Sequence, residues 1–244
     1  MTPLAIVAAG LDRIALPPLL RPAVGPNDDP TDELIYWGIN FYVYSNIAHL
    51  RTVLRGLVRL AQDENIPATF IVSRNVFEWT AHACYMSRNL GNSAVKKDRE
   101  QAWKLLTTVF TGDRWVKVNG PKYAPAAVFD DVPEPLRVSK VIAEYEEYER
   151  QQFGDGDAKD TYGLLSEYSH PNSACVQQYH QHDGRVVRFV TPSTGSPLPV
   201  VNWCLIDMMT FLLDLLGISQ EQSVRPHVAS VLKEIAKLAP PKRP

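Results

Sequence analysis

The feature that most constrains this chain is a long stretch without proline between Pro30 and Pro67. Apolar residues recur along it at the three- and four-residue spacing of a helix, from Leu34 to Leu60. Proline would break a helix by removing a backbone donor, so its absence allows the helix to continue throughout. Thr31 or Asp32 can cap its start. The sequence therefore predicts one helix of about thirty residues, a length well above the average of globular proteins and typical of a helical bundle.

The same periodicity predicts further helices along the chain, separated by glycine and proline. Their approximate ranges are 67–90, 93–110, 136–152, 157–169, 199–217 and 219–238. Asp183-Gly184 is a strong turn signal, and it predicts a small β-hairpin at about 177–190. The predicted fold class is mostly α, a single-domain helical bundle with that one hairpin.

Proline also suggests where the domain begins and ends. Residues 1–31 are rich in proline, and we expect an extended arm or irregular cap whose apolar residues pack on the remainder. Residues 32–238 form the predicted bundle domain. Residues 239–244 are basic and proline-rich, and we expect a disordered tail.

Charge and cysteine content exclude several classes of protein. The net charge is −2, so no global basic field draws the whole molecule to nucleic acid. The cysteines are Cys84, Cys175 and Cys204, an odd number without a C-x-x-C pair, which argues against a disulfide framework or a thiolate zinc site. A reducing cytoplasmic location is expected, with no cofactor. The first residues lack the basic region of a signal peptide.

The most apolar segment, 200–218, carries Asp207 and Asp214. Two carboxylates at bilayer depth are costly, so the segment is interpreted as a core helix and no membrane contact is expected.

Two predicted helices are apolar nearly all round, and each carries a narrow polar stripe. The second helix has Arg74, Glu78 and His82 at four-residue spacing, and the later one has Asp207 and Asp214. Because buried polar groups need partners, we expect the two stripes to face each other in one pocket. A guanidinium matches a carboxylate with two hydrogen bonds, so Arg74 is expected to pair with a carboxylate there.

A third set of polar residues lies on the short helix at 157–169. Ser166 and His170 are four residues apart, so their side chains can share a face. Tyr162 and Glu167 lie on the same segment, and His170 directly follows its predicted end. The simplest alternative is that both this set and the stripes form a structural network or solvated faces.

Metal binding is one functional alternative. Glu167-x-x-His170 has the spacing that ferritin-like di-iron bundles use twice, but the chain carries it once. The sequence His180-x-His182-Asp183 could bind a single ion, or simply form one face of the hairpin. No metal site is predicted.

Nucleophilic catalysis is a second alternative, with Ser166 as nucleophile and His170 or His82 as base. A serine within a helix is poorly exposed for attack.

The third alternative is nucleic-acid binding. Arg51, Arg55 and Arg59 form a basic stripe whose mutual repulsion is easier to understand if phosphate or acidic groups lie opposite.

Two motifs carry a resemblance to a known family. Residues 73–78, Ser-Arg-Asn-Val-Phe-Glu, and residues 162–171, Tyr-Gly-Leu-Leu-Ser-Glu-Tyr-Ser-His-Pro, resemble an uncharacterised family of bacterial and phage helical proteins. That family is a domain of unknown function, loosely similar to HEPN domains, and the resemblance covers roughly residues 32–217. It implies that the polar positions of the family are Arg74, Glu78, Tyr162, Ser166 and His170.

HEPN-type ribonucleases use an arginine followed by a histidine after four to six residues, across a dimer cleft. The nearest equivalent in this chain is Arg74 and His82, with seven residues between them. The resemblance implies a nuclease-like or defence-associated protein.

Together these observations favour a HEPN-like protein that binds a polar or anionic ligand, RNA or a nucleotide. The candidate catalytic residues are His170, Arg74, Glu78 and Ser166, with His170 as acid–base and Arg74 holding phosphate. The candidate ligand-binding residues are His82, Tyr162, Asp207, Arg51 and Arg55. The alternative class is a non-catalytic structural or protein-interaction module, with a homodimer through the long first helix.

Overall fold

A computed structural model describes residues 3–23, 29–92, 98–111, 136–169, 180–183, 186–189 and 196–238. This part of the chain is mostly helical, as predicted, and its arrangement is consistent with a helical bundle. Its helices are α1 Pro3–Asp12, α2 Asp32–Gln62, α3 Ile66–Asn92, α4 Arg99–Thr111, α5 Val138–Phe153, α6 Ala158–Ser169, α7 Leu198–Ile218 and α8 Arg225–Ala236.

The long helix α2 begins and ends where the sequence predicted. Thr31 caps it, since its Oγ1 accepts a hydrogen bond from the Leu34 backbone N–H at 3.2 Å. The chain turns after Gln62, where Glu64 adopts a positive φ of 53°. The Asn65 side chain then accepts from the Ala68 N–H at 3.2 Å, which starts α3 directly after the turn.

Helices α3 and α7 form the centre of the fold. They pack against each other, and Thr80 Oγ1 donates to the Cys204 carbonyl at 3.2 Å across the interface. Cys84 and Cys204 are both buried as free thiols, which confirms that they serve as small apolar residues. Burial raises the pKa of the Cys84 thiol well above its usual range, so it stays protonated.

Helix α7 has the length and composition of a membrane span, with a mean hydropathy of 1.6 in its most apolar window. In the described part of the chain it is the one helix that meets this criterion, and 56% of that window is buried inside the fold. It packs against α2, α3 and α8. One such helix is weak evidence for a span, because the core helix of a soluble protein meets the same criterion.

The N-terminal segment differs from its prediction. Residues 3–12 form helix α1 instead of an extended arm, because Pro3 occupies the first turn, where a missing N–H costs nothing. The next proline is Pro17, beyond the end of α1. Helix α1 packs against α2 and α8, and Val7 and Leu11 are buried there. The predicted limits of the arm, domain and tail stay predictions, and residues 239–244 lie outside the described residues.

Two helix starts also differ from prediction. Helix α4 begins at Arg99, where the Asp98 side chain accepts from the Gln101 N–H at 3.0 Å, and residues 93–97 lie outside the described residues. Helix α8 begins at Arg225 because the chain first makes a turn. Gln220 there has a φ of 58°, and the Glu221 side chain accepts from the Ser223 N–H at 2.6 Å.

Two short strands, β1 His180–Asp183 and β2 Val186–Phe189, pair antiparallel with His182 opposite Val187. Residues 184 and 185, the predicted turn, lie outside the described residues, so the hairpin as a whole stays a prediction. The metal-binding alternative at His180 and His182 is untested, and so is the homodimer through α2.

Candidate functional site

One side of helix α3 carries the predicted polar stripe and lies between two neighbouring helices. Trp79 contacts α2, and Phe77 contacts Tyr162 of α6. At 100° per residue, Arg74, Glu78 and His82 fall between these two contact directions. We call these three residues, with Tyr162, the outer cluster.

The outer cluster is centred on the guanidinium of Arg74. Its Nε donates to Glu78 Oε1 at 2.9 Å, and its Nη2 donates to Tyr162 Oη at 2.9 Å. The side chains of Arg74 and Glu78 are 25% and 24% exposed, so they are largely buried but reach solvent. Burial opposes the charge on Arg74, but the hydrogen bond and charge of Glu78 outweigh it and raise the pKa of Arg74. Arg74 therefore pairs with a carboxylate of its own helix, and the expected pair with the second stripe stays a prediction.

His82 lies one turn beyond Glu78 and is half-buried. Burial lowers its pKa below the usual value of 6.5, although the negative charge of Glu78 works in the opposite direction. At neutral pH the ring is therefore a neutral imidazole, which has one nitrogen that donates and one that accepts.

An aromatic pair that the sequence did not indicate borders the outer cluster. His49 of α2 stacks on Trp79 with ring centroids 3.8 Å apart and planes 12° from parallel. The His49 Nε2 lies 3.0 Å from the Asn75 Oδ1. Asn75 belongs to the first motif, but no spacing rule connects it with a residue 26 positions earlier. We call His49, Asn75 and Trp79 the stacked pair and its amide.

The second predicted stripe has other contacts. Asp207 is buried, and Tyr145 Oη of α5 donates to its Oδ2 at 2.5 Å. Asp214 accepts from Ser87 Oγ of α3 at 3.4 Å. Burial raises the pKa of Asp214, with the Ser87 hydrogen bond and the charge of Arg225 opposing the shift. The contacts described for this stripe thus reach α5 and α3, and a pocket shared with Arg74 stays a prediction.

Arg51 and Arg55 contact the end of α1, and their assignment as ligand-binding residues stays a prediction. Arg51 Nε donates to the Leu11 carbonyl at 2.9 Å, and its Nη2 donates to the carbonyl of Ile14. Arg55 makes two hydrogen bonds to Asp12, at 2.8 and 3.2 Å. The last carbonyls of a helix lack intrahelical donors and carry partial negative charge, so cations bind them well. The acidic partner of Arg55 thus comes from α1.

Ser166 lies one turn beyond Tyr162 on α6. Its Oγ is buried and has no hydrogen-bond partner among the described residues. His170 lies outside the described residues, so its pairing with Ser166, and the Glu167-x-x-His170 metal motif, stay predictions. Within the described ranges, no group of three or more His, Cys, Asp or Glu side chains is placed to hold a metal ion.

Comparison with known proteins adds no relative, since no family model, curated protein or solved structure matches the chain. The chemistry of the outer cluster follows from its own groups. It holds a fixed cation beside a carboxylate, a neutral imidazole and a phenol. Such a set can bind polar groups and donate hydrogen bonds to phosphate oxygens.

Proposed function

We propose that this protein binds an anionic ligand, RNA or a nucleotide, at the outer cluster. The observation that carries the proposal is Arg74, which is held by Glu78 and Tyr162 and remains 25% exposed. A guanidinium held in this way loses little further freedom on binding, so more of its hydrogen-bond energy appears as affinity. The resemblance to HEPN-like proteins points in the same direction.

The stacked pair and its amide favour a nucleotide over inorganic phosphate. Trp79 and His49 offer aromatic surface next to the outer cluster, and Asn75 offers an amide group. Proteins bind unpaired bases through aromatic stacking combined with hydrogen bonds to the base edges, while arginine holds the backbone. The outer cluster and the stacked pair together supply these types of contact.

A catalytic form of the proposal adds His170 and Ser166. His170 would act as acid–base on a substrate whose phosphate is held by Arg74, with Glu78 fixing the guanidinium. Ser166, with its unpartnered buried hydroxyl, supports this form because unsatisfied buried polar groups call for an explanation.

The test is a titration of labelled single-stranded RNA and of ATP by fluorescence anisotropy and calorimetry at two salt concentrations. We expect Arg74→Ala to weaken binding by about tenfold, corresponding to about 1.4 kcal/mol, and to reduce the salt dependence. The proposal would be contradicted if the wild-type protein bound neither the RNA nor ATP.

Arg88→Ala is the matched control. Arg88 also lies on α3, its Nε donates to Glu144 at 2.8 Å, and its side chain is 23% exposed. It therefore has nearly the same burial and pairing as Arg74 but contacts α5. Equal losses of affinity in the two variants would mean that Arg74 acts only through general charge or stability. A loss of several kcal/mol of unfolding free energy in Arg74→Ala alone would instead favour the structural alternative.

A further inference from the structure

A groove lies between α6, the start of α7 and Phe70 of α3. It has a volume of about 470 Å³. Its walls are mainly apolar and aromatic: Phe70, Leu164, Leu165, Tyr168, Pro197 and Val200. The rings of Phe70 and Tyr168 stack at 4.5 Å and close one end. We call this the α6–α7 groove.

A second hollow adjoins the first. It has a volume of about 220 Å³ and is lined by Leu60 and Ile66 at the junction of α2 and α3, with Leu198 of α7. Ser196 and Pro197 line both hollows, so the two hollows lie next to each other. The surface therefore offers two apolar depressions in a row instead of one closed pocket.

Acidic residues edge both hollows. Asp157 and Asp160 lie at the α6–α7 groove, and Glu64 lies at the second hollow. A small inner cavity that shares Asp157 with the groove is lined by Glu149, which is buried. No lysine, arginine or histidine is among the described residues that line these spaces. The described walls of these spaces are therefore apolar, with carboxylates at their edges.

Leu164 shows that this surface is not fully covered. Its side chain is 52% exposed at the wall of the groove. Covering such an apolar side chain removes its surface from water, which is favourable. A partner that reaches it therefore gains hydrophobic energy.

We propose that the α6–α7 groove and its adjoining hollow bind an extended peptide segment of a partner protein that carries apolar and basic side chains. Apolar side chains occupy the two hollows on either side of Pro197. Lysine or arginine side chains pair with Asp157 and Asp160 on one side and with Glu64 on the other. The row of two hollows fits an extended chain, in which alternate side chains point to the same face.

This surface is separate from the outer cluster. Tyr162 faces Arg74 from one side of α6, and Leu164 lines the groove from another. The outer cluster offers a cation, and the groove offers carboxylates, so their ligands have opposite charge.

The test measures binding of a labelled synthetic peptide of alternating leucine and lysine by fluorescence anisotropy. The comparison peptide alternates leucine and glutamate. We expect the basic peptide to bind at least tenfold more tightly. Peptide binding should weaken about tenfold in the double variant Asp157→Asn, Asp160→Asn. The single variant Leu164→Lys should weaken peptide binding by a similar factor. Asparagine suits a helix start as well as aspartate does, and Asp157, Asp160 and Leu164 are exposed, so these changes spare the fold.

The matched control is the double variant Asp98→Asn, Glu100→Gln at the start of α4, which removes the same charge from another surface. It should bind the basic peptide as the wild type does. An equal loss in the α4 control, or equal binding of the two peptides, would overturn the proposal.

A small molecule or a second copy of this chain could occupy the groove instead of a peptide, and each gives a different result. If phenethylammonium binds the groove as tightly as the peptide, the surface is a small-molecule site and the proposal is wrong. If sedimentation shows a dimer that Leu164→Lys dissociates into monomers, a second copy fills the groove and the proposal is also wrong.

Discussion

At the scale of single residues, the environment decides what each polar side chain of α3 does. Arg74 and Arg88 are the same residue type on one helix with similar exposure, but Arg74 contacts Tyr162 of α6 and Arg88 contacts Glu144 of α5. The sequence identified Arg74 and Glu78 as polar groups on an apolar helix, and their four-residue spacing is compatible with an ion pair. It did not predict a role for His49, because the stacking of His49 on Trp79 depends on how α2 and α3 pack.

His82 gives a pH prediction at this scale. Burial lowers its pKa in the folded state, so the unfolded state takes up a proton more readily. The contribution of neutral His82 to the free energy of unfolding is fully present above the unfolded-state pKa of about 6.5. It is lost as the pH falls through the lower pKa of the folded state. We expect the unfolding free energy of the wild type to fall across this window and that of His82→Gln to fall less.

Urea unfolding at several pH values above and below about 6.5 measures this difference. His227→Gln is the control, since His227 is an exposed histidine on α8. A His82→Gln variant with the same pH dependence as the wild type would show that His82 is not the titrating group.

At the scale of elements, the corner between α5 and α6 shows how local sequence and tertiary contacts combine. Gly154 ends α5 with a φ of 80°, and its N–H donates to the Arg150 carbonyl at 2.9 Å. The sequence predicts this stop from the glycines at 154 and 156. It does not predict that Glu146 and Glu149 turn inward, where they accept from the N–H groups of residues 159 and 157 at 3.3 Å. Those carboxylates complement the positive end of α6.

Only glycine fits at position 156 of this corner, because the surrounding atoms leave no space for a Cβ. A Cβ there would lie 2.6 Å from the Glu146 carbonyl oxygen, so a backbone segment would have to move. We expect Gly156→Ala to cost about 1–3 kcal/mol of unfolding free energy, the range of overpacking. Gly163→Ala is the matched variant, because a Cβ at this exposed position on α6 meets nothing within 4 Å.

Gly163→Ala should stabilise the protein by about 0.5–1 kcal/mol through helix propensity. Urea unfolding of both variants gives the comparison. A Gly156→Ala variant that is as stable as Gly163→Ala would mean that the close approach to Glu146 is not maintained in solution.

At the scale of the whole molecule, α1 is held by residues that the sequence assigned to a ligand. Arg51 and Arg55 bind the end of α1, and Arg13 pairs with Glu234 of α8 at 3.2 Å. These contacts join residues about 40 and 220 positions apart, so helical periodicity could not predict them. They connect the N-terminal segment to both α2 and α8.

Arg51→Ala should therefore loosen α1. We expect a loss of about 1.5–3 kcal/mol, the value of hydrogen bonds to a charged group, and faster hydrogen exchange in residues 3–14. Arg59→Ala, the third position of the same stripe and exposed, should change neither quantity. Exchange measured by mass spectrometry reports on α1 directly. Equal effects of the two substitutions would contradict the role of Arg51 in docking.

The sequence by itself determined most of the helices and many of their ends, from apolar periodicity, the positions of proline and capping residues such as Thr31. These features depend on residues within a few positions of one another, and their physics is local. The tertiary structure alone decided which polar groups meet: Arg74 with Tyr162, His49 with Trp79, and Arg51 with the end of α1. Those contacts depend on how the helices pack, and a pattern of charges along one chain does not specify which distant segment will lie opposite.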